Sequence, residues 1–329
     1  MKKIASVLIL MALVQGVMAQ SAYHLSQYWQ VPYLYNPAAT GADEMIDLRA
    51  GFRKQWSGLD QAPTSYFAGV NLMVNALGGS NSNSGKSKYY TGGNNGSLLS
   101  GTHGLGVFIR KSEMGPFNTT QGLVSYAYHL ALDRKFSASL GVAAGISNNG
   151  IESGDLVVRE VNDPAYLALM ENDGSMSFFD LNAGISVYST ELYFGYAANQ
   201  IVKSTLSSPE GLEDPKFNIG HYISAGYRAE ITPELELLPS TLIRIQTADE
   251  VLFDVNLKAR WNQMLWAGVS YRHQDAISAQ LGIFTKQNFN FGYSYDVMTG
   301  NVSDYSNGTH EVIIGYIINK GEAKLPIFF

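Results

Sequence analysis

Residues Phe289-Asn290-Phe291-Gly292-Tyr293-Ser294-Tyr295-Asp296-Val297 place aromatic and aliphatic side chains on one face of an extended chain and polar or small ones on the other. Successive side chains of a strand point to opposite faces, so strict alternation of this kind specifies strand rather than helix. The pattern recurs across most of the chain beyond residue 44. Phe136, Ala138, Leu140, Val142, Ala144 and Ile146 oppose a face of Ser and Gly. Phe253, Val255, Leu257 and Ala259 oppose Asp254, Asn256, Lys258 and Arg260.

Periodicity alone does not say which face is inside. In a soluble sandwich the apolar faces meet each other; in a membrane barrel they meet lipid and the polar faces fill the lumen. Run length decides. Most runs are about ten residues, the length a tilted membrane strand needs and longer than the usual 5–6 of globular sheets. About fourteen runs are counted, an even number as expected of bacterial outer-membrane barrels. They lie near 45–54, 64–74, 103–111, 119–130, 136–148, 177–188, 191–198, 218–229, 234–246, 251–260, 264–273, 276–286, 289–298 and 309–319. Pro239 sits inside the ninth and calls for a bulge or a break there. The expected fold is an all-β, antiparallel transmembrane barrel.

The first residues differ from the rest. Lys2-Lys3, an apolar stretch from Ile4 to Val14 and the small-residue ending at Ala19 have the form of a secretory signal peptide over 1–19. Residues 20–44 then form an extended lead-in, 45–319 the barrel and 320–329 a C-terminal extension that ends in Phe328-Phe329. Export without a single cysteine leaves stability to burial and strand pairing. Without Lys2 and Lys3 the chain carries 20 basic and 28 acidic residues, a net of −8 with no basic block, which excludes a nucleic-acid partner. Tyr at 20 and Gly at 33 suit aromatic girdles and a crowded interior.

Even-numbered connections are short, around Asp133, Ser189-Thr190-Glu191, 230–233, 261–263 and 286–288, whereas 149–176, 199–217 and 299–308 are long. Short turns face the periplasm in such barrels, which sets both termini there. The Gly-, Ser- and Asn-rich segment 75–102 departs from this parity: it is long yet falls on the short-turn side.

No catalytic constellation emerges. None of the six histidines has metal-ligand spacing. His310 and Glu311 are neighbours on a strand and point to opposite faces. Gly92-Gly93-Asn94-Asn95-Gly96 lacks the strand–turn–helix context of a phosphate loop, and no nucleophile elbow occurs. Asp155, Glu160, Asp163, Glu171 and Asp173 make 149–176 acidic without the spacing of a calcium loop. The expectation is no enzyme, no cofactor and no metal. The sharper signal is charge on lumen faces: Asp47, Arg49 and Arg53 on the first run, Asp254, Lys258 and Arg260 on the tenth, with Arg272 and Asp296 nearby. Buried charges must be paired, so these residues either plug the interior or line a polar path for a solute or peptide.

Separated motifs carry a family resemblance. They are Gln27-Tyr28 with Tyr35-Asn36-Pro37-Ala38 and Gly41; Arg53-Lys54-Gln55-Trp56 with Gly58 and Ala62-Pro63-Thr64-Ser65; Phe291 to Asp296; and Ser306-Asn307-Gly308-Thr309-His310-Glu311. In this order and spread the chain resembles the PorP/SprF outer-membrane proteins of the type IX secretion system of Bacteroidetes. The resemblance implies a barrel without enzymatic activity, in contact with outer-membrane lipid. It further implies support for the secretion or surface anchoring of a partner, such as the C-terminal domain of a gliding adhesin, and association with periplasmic secretion components. The alternative is an outer-membrane channel for a small solute or peptide.

The motif residues have physical roles beside the resemblance. Asn36-Pro37 sets an extended approach to the first strand. Gly58, Pro63 and Thr64 shape the first loop, in which Trp56 offers a large amphipathic surface. Gly308 allows a tight loop before the last strand. First and last strands pair when a barrel closes, so Arg53, Gln55 and Trp56 are expected near Tyr293, Tyr295, Asp296, Gly308, His310 and Glu311, as seam chemistry or as a partner-docking surface.

Overall fold

A computed structural model describes residues 24–43, 45–74, 101–133, 135–152, 167, 174–208, 217–247, 250–300 and 302–318. The signal peptide, most of 75–102, the five acidic residues of 149–176 and the terminal aromatics lie outside them.

Fifteen strands form one antiparallel sheet. They are β1 (Ile46–Lys54), β2 (Thr64–Met73), β3 (Gly101–Met114), β4 (Phe117–Ala131) and β5 (Ser137–Ile151). Then come β6 (Ser175–Tyr188), β7 (Leu192–Ser207), β8 (Gly220–Tyr227), β9 (Ala229–Glu230) and β10 (Leu235–Thr247). The last five are β11 (Glu250–Trp261), β12 (Leu265–Arg272), β13 (Ala276–Phe284), β14 (Phe289–Met298) and β15 (Thr309–Ile318). β8 and β9 are two pieces of one stave, so the barrel has fourteen. β1 pairs with β15 from Ile46↔Ile318 to Lys54↔His310, which closes the cylinder and leaves no edge exposed.

The gap between β8 and β9 has a chemical cause on the neighbouring strand. β10 runs through Pro239 without a bulge and pairs it with Leu257. On its other side, pairing stops at Leu237↔Ala229 and resumes at Ser240↔Gly226 in the same register. Proline has no N–H to give, so the ladder is interrupted rather than shifted. The expected break is therefore in the partner strand.

Two strands outrun their sequence patterns. β3 and β4 extend to a tight turn at Gly115-Pro116, so that connection is short. β7 continues to Ser207, past an irregularity at 199–201, and shortens the connection expected over 199–217.

Burial assigns the faces. Val124 and Leu140 are 60% and 64% exposed, whereas their strand neighbours Ser125 and Ser139 are 6% and 3% exposed. The outward row of large apolar residues continues through Val107, Ile185, Val255, Val269 and Leu281. Such a contiguous belt is stable only against lipid. The strand ends that flank 55–63, 115–116, 152–174, 208–219, 248–249, 273–275 and 299–308 mark one mouth, here termed upper. The turns 132–136, 189–191, 231–234, 262–264 and 285–288 rim the lower mouth, where β2 ends and β3 begins. In the first of these turns Asp133 Oδ1 accepts the N–H groups of Lys135 at 2.6 Å and Phe136 at 2.8 Å. Those bonds hold its carboxyl below the ordinary carboxylate range.

Residues 24–43 are not an extended lead-in. They form a plug inside the barrel, with a 3₁₀ turn at Tyr28–Gln30, a short helix α1 (Pro32–Tyr35) and a second 3₁₀ turn at Pro37–Ala39. Pro32 and Pro37 each open a helical turn, where a missing N–H costs nothing. Asn36 alone keeps the extended backbone expected before proline, and its Oδ1 caps the second turn through Ala38 N at 2.9 Å. The plug cannot be extended because four large aromatics, Tyr28, Trp29, Tyr33 and Tyr35, must be buried. They pack on inward-facing Phe67, Phe108, Leu242, Trp266 and Ile313. The lumen is thus partly apolar.

The plug crosses the lumen from top to bottom. Its first residues contact Asp254, Arg272, Asp296 and Glu311, all near the upper ends of their strands. Its last residues contact Asn71, His129 and Ser139 near the lower ends, through Gly41, Thr40 and Ala38. The described ends of the chain, His24 and Ile318, therefore lie at opposite mouths. The termini themselves, expected together at the periplasmic mouth, lie outside the described residues.

Candidate functional site

The centre of the upper lumen is Ser26. Its N–H donates to Glu311 Oε2 at 2.9 Å, and the N–H of Gln27 donates to Glu311 Oε1 at 2.9 Å. The Ser26 hydroxyl donates to Asp296 Oδ2 at 2.6 Å and accepts from Arg53 Nη1 at 2.9 Å and Arg272 Nη2 at 3.1 Å. Its carbonyl accepts from Gln280 Nε2 at 3.0 Å. One plug residue is thereby tied to β1, β12, β13, β14 and β15.

The charges around it form a chain of ion pairs. Arg53 bridges Asp296 and Glu311, each at 3.0 Å. Arg272 reaches Asp254 at 3.0 Å, Asp275 at 2.8 Å and Asp296 at 3.6 Å. His24 Nε2 lies 3.2 Å from Asp254 Oδ1. Removing these groups from water costs several kcal/mol per ion, which only close pairing and added hydrogen bonds offset. The sum is a clasp with a specific register.

Below it, Arg49 pairs with Asp47 at 2.8 Å and donates to Gln30 Oε1 at 2.7 Å, an oxygen that also accepts from Asn290 Nδ2 at 2.7 Å. Trp29 stands edge-on to Trp266 with ring centroids 4.9 Å apart, and its Nε1 donates to Gln280 Oε1 at 3.3 Å. The Lys258 ammonium lies 3.3 Å from the centroid of the Trp29 ring. Arg260 Nε donates to Glu236 Oε2 at 2.6 Å. Asp47, Arg49, Asp254, Lys258, Arg260 and Arg272 are thus brought into one lumen, beside the plug.

The rim residues meet at the closure seam. Ser57 N donates to Gly308 O at 2.7 Å, Asn307 N donates to Ser57 O at 2.7 Å, and Trp56 N donates to Thr309 Oγ1 at 3.1 Å. The first loop is therefore fastened to the 299–308 loop. It is closed at its base by Gln55 N donating to Pro63 O at 2.8 Å, just before Thr64 opens β2. Gly58 and Gly308 have φ of +97° and +91°, in the left-handed region. A Cβ on Gly308 would stand 2.7 Å from the Tyr295 hydroxyl, which itself donates to Asn307 O at 2.9 Å. Trp56 is half-buried and also left-handed, with φ of 51°.

The other motif residues divide between the two faces. Asp296 and Glu311 point into the lumen with Arg53. Tyr293 and His310 point outward and meet there, Tyr293 Oη 2.8 Å from His310 Nδ1. Asn36 and Pro37 are far from this seam, low in the lumen, where Asn36 Nδ2 donates to Ile185 O at 3.1 Å.

Ser26, Gln30, Trp29 and Gln280 were absent from the sequence-derived candidates. Nothing in Ser26 itself marks it. The aromatic run from Tyr28 to Tyr35 does carry a signal: it is too apolar for solvent, and Pro32 at its centre does not suit a paired strand. Among the described residues, no group of three His, Cys, Asp or Glu is placed to hold a metal ion.

The chain is similar in structure to the Ralstonia pickettii toluene transporter TbuX, at 7% identity and a TM-score of 0.47 over 86% of this chain and 92% of that one. It is similar to the CymD monoaromatic hydrocarbon channel at 10% identity and a TM-score of 0.48, over 90% and 92% of the two chains. A deletion mutant of the TodX monoaromatic hydrocarbon channel gives 8% identity and 0.43, over 90% and 94%. No curated protein matches the sequence. A model of type IX secretion system membrane proteins matches residues 17–316. With that match over nearly the whole of a lipid-belted barrel, the chain belongs to the PorP/SprF family of type IX secretion system membrane proteins and resides in the outer membrane.

Proposed function

We propose that this barrel supports the secretion or surface anchoring of a partner protein through its upper rim, not through its lumen, and that it has no enzymatic activity. The observation that carries this reading is the plug: residues 24–43 cross the lumen from mouth to mouth and are clasped to five strands at Ser26. A lumen occupied in this way supports recognition at the rim better than passage. The rim offers a fastened surface, in which the first loop with Trp56, Gly58 and Pro63 is held against Asn307, Gly308 and Thr309. A secreted adhesin domain is the expected occupant, with periplasmic secretion components below.

The test combines deletion with a point variant. Deleting the protein should remove a specific adhesin from the cell surface, and Trp56→Ala should fold normally yet fail to retain that adhesin in a pull-down from outer membranes. Unchanged surface proteins after deletion would sink the reading. The competing channel reading rests on the lumen charges. It predicts steady conductance of the intact protein in planar bilayers, whereas the plugged reading predicts conductance only after residues 24–43 are removed.

A further inference from the structure

Between the plug and the wall built by β3, β4, β6, β7, β8 and β10 lies a cavity of about 200 Å³. Its floor is Leu34 and Tyr35 of the plug. Ser112, Thr119 and Gln246 on its wall stand within two residues of the upper ends of β3, β4 and β10, so it opens toward the upper mouth. The clasp at Ser26 is on the opposite wall and does not use it.

The wall here is irregular in a way that the rest of the barrel is not required to be. Leu181 pairs with Val202 and Ala183 with Ala198, so residues 199–201 of β7 stand opposite Asn182 alone. Gln200 adopts a left-handed backbone with φ of 59°, and its N–H donates to Asn182 Oδ1 at 2.7 Å. A left-handed backbone is unfavourable for a residue that carries a Cβ. Bulges of this kind re-aim side chains, and here the result is that Asn182, Asn199 and Gln200 converge on the cavity beside Gln121. Asn199 Nδ2 donates to Tyr35 O at 3.3 Å, while its Oδ1 is buried with no hydrogen-bond partner among the described residues. A buried acceptor left unmet is destabilising, and a donor on a ligand would relieve it.

The lining chemistry defines what fits. Carboxamides donate and accept at once, so a cluster of them suits a ligand whose groups do both. Tyr35 and Tyr222, with ring centroids 6.1 Å apart, add flat apolar surface. The nearby charges are engaged with each other: Asp180 accepts from Gln121 Nε2 at 2.8 Å and faces Lys203 at 3.7 Å. Arg110 also lines the cavity but is engaged with neighbours of its own, so an anionic ligand would have to compete for it. The closed floor excludes a chain passing through. We infer that this cavity is a binding site for a neutral sugar ring, the end residue of a soluble glycan entering from the upper mouth. A lipid-anchored glycan is excluded by position, because the cavity is inside the lumen and the acyl chains are outside.

The experiment uses the full mature protein in a detergent without a sugar headgroup, titrated with maltotriose and with the trimer of N-acetylglucosamine by calorimetry. At least one should bind saturably. Asn199→Leu and Tyr222→Leu should each weaken that binding about tenfold, the effect of one lost hydrogen bond or stacking contact. Heat-modifiable gel mobility checks that each variant is a folded barrel, and lipid-facing Val269→Leu serves as a variant that leaves the binding unchanged. Lipopolysaccharide micelles should not compete. Absence of saturable binding by both sugars, binding untouched by both variants, or saturable binding of a tetra-alanine peptide in place of the sugars would each overturn the assignment.

Discussion

Glu311, on the last strand of the barrel, accepts the backbone N–H of Ser26, in the first turn of the plug, at 2.9 Å. The same carboxylate takes Arg53 at 3.0 Å. Plug, first strand and last strand therefore share one ionised group. Glu311→Gln keeps the shape and removes the charge. Hydrogen bonds to charged groups contribute about 1.5–3 kcal/mol each, so protection of the Ser26 and Gln27 amides against hydrogen exchange should fall by at least about tenfold. Unaltered protection would show that the charge does not hold the plug.

Arg53→Met tests the clasp from the other partner. It leaves Asp296 and Glu311 buried without their guanidinium, and breaking a buried pair in this way costs about 3–5 kcal/mol. The expected outcome is a lower unfolding midpoint in denaturant. Restoration by the triple change Arg53→Met, Asp296→Leu and Glu311→Met would assign the loss to stranded charge.

Gly308→Ala addresses the seam loop. The residue is left-handed, at φ of +91°, and a Cβ would stand 2.7 Å from the Tyr295 hydroxyl. A side chain there should cost about 1–2 kcal/mol. Limited proteolysis should cleave 299–308 faster in the variant while the barrel stays heat-modifiable.

The lipid belt is tested at mid-strand. Val124 is central in β4 and 60% exposed. Val124→Arg should cost about 2–4 kcal/mol in the folding equilibrium into lipid vesicles, and Val124→Leu close to nothing. Equal behaviour of the two would mean that this face is not against lipid.

Orientation is tested by labelling, which the absence of cysteine makes unambiguous. Asp60 and Glu234 are exposed in connections at the upper and lower mouths. On intact cells an impermeant maleimide should modify Asp60→Cys and spare Glu234→Cys. The reverse pattern would put the Trp56 rim in the periplasm.

The strands were legible because lipid and lumen impose period-2 alternation on nearly every one. Ile46–Lys54, Thr64–Met73, Phe289–Met298 and Thr309–Ile318 lie within a residue of the ends expected from pattern alone. β7 was cut short because Asn199 and Gln200 break the alternation where its bulge begins. The plug was illegible for a different reason. Its fold is dictated by the cavity that receives it, and no local period records that. The lumen charges were visible one strand at a time, but that Arg53 meets Glu311 and Arg272 meets Asp254 depends on closure and register. Ser26, a small hydroxyl in a turn, has no signature until the strands surround it.

The bond between Ser26 and Glu311 spans 285 positions of sequence. A segment made early is thus secured in part by one made late. A chain that lacks β15 offers Arg53 no Glu311, gives β1 no neighbour on that side and leaves the Ser26 and Gln27 amides without their acceptor. Such a chain cannot close by the β1–β15 pairing, so closure of the wall and anchoring of the plug depend on the same strand.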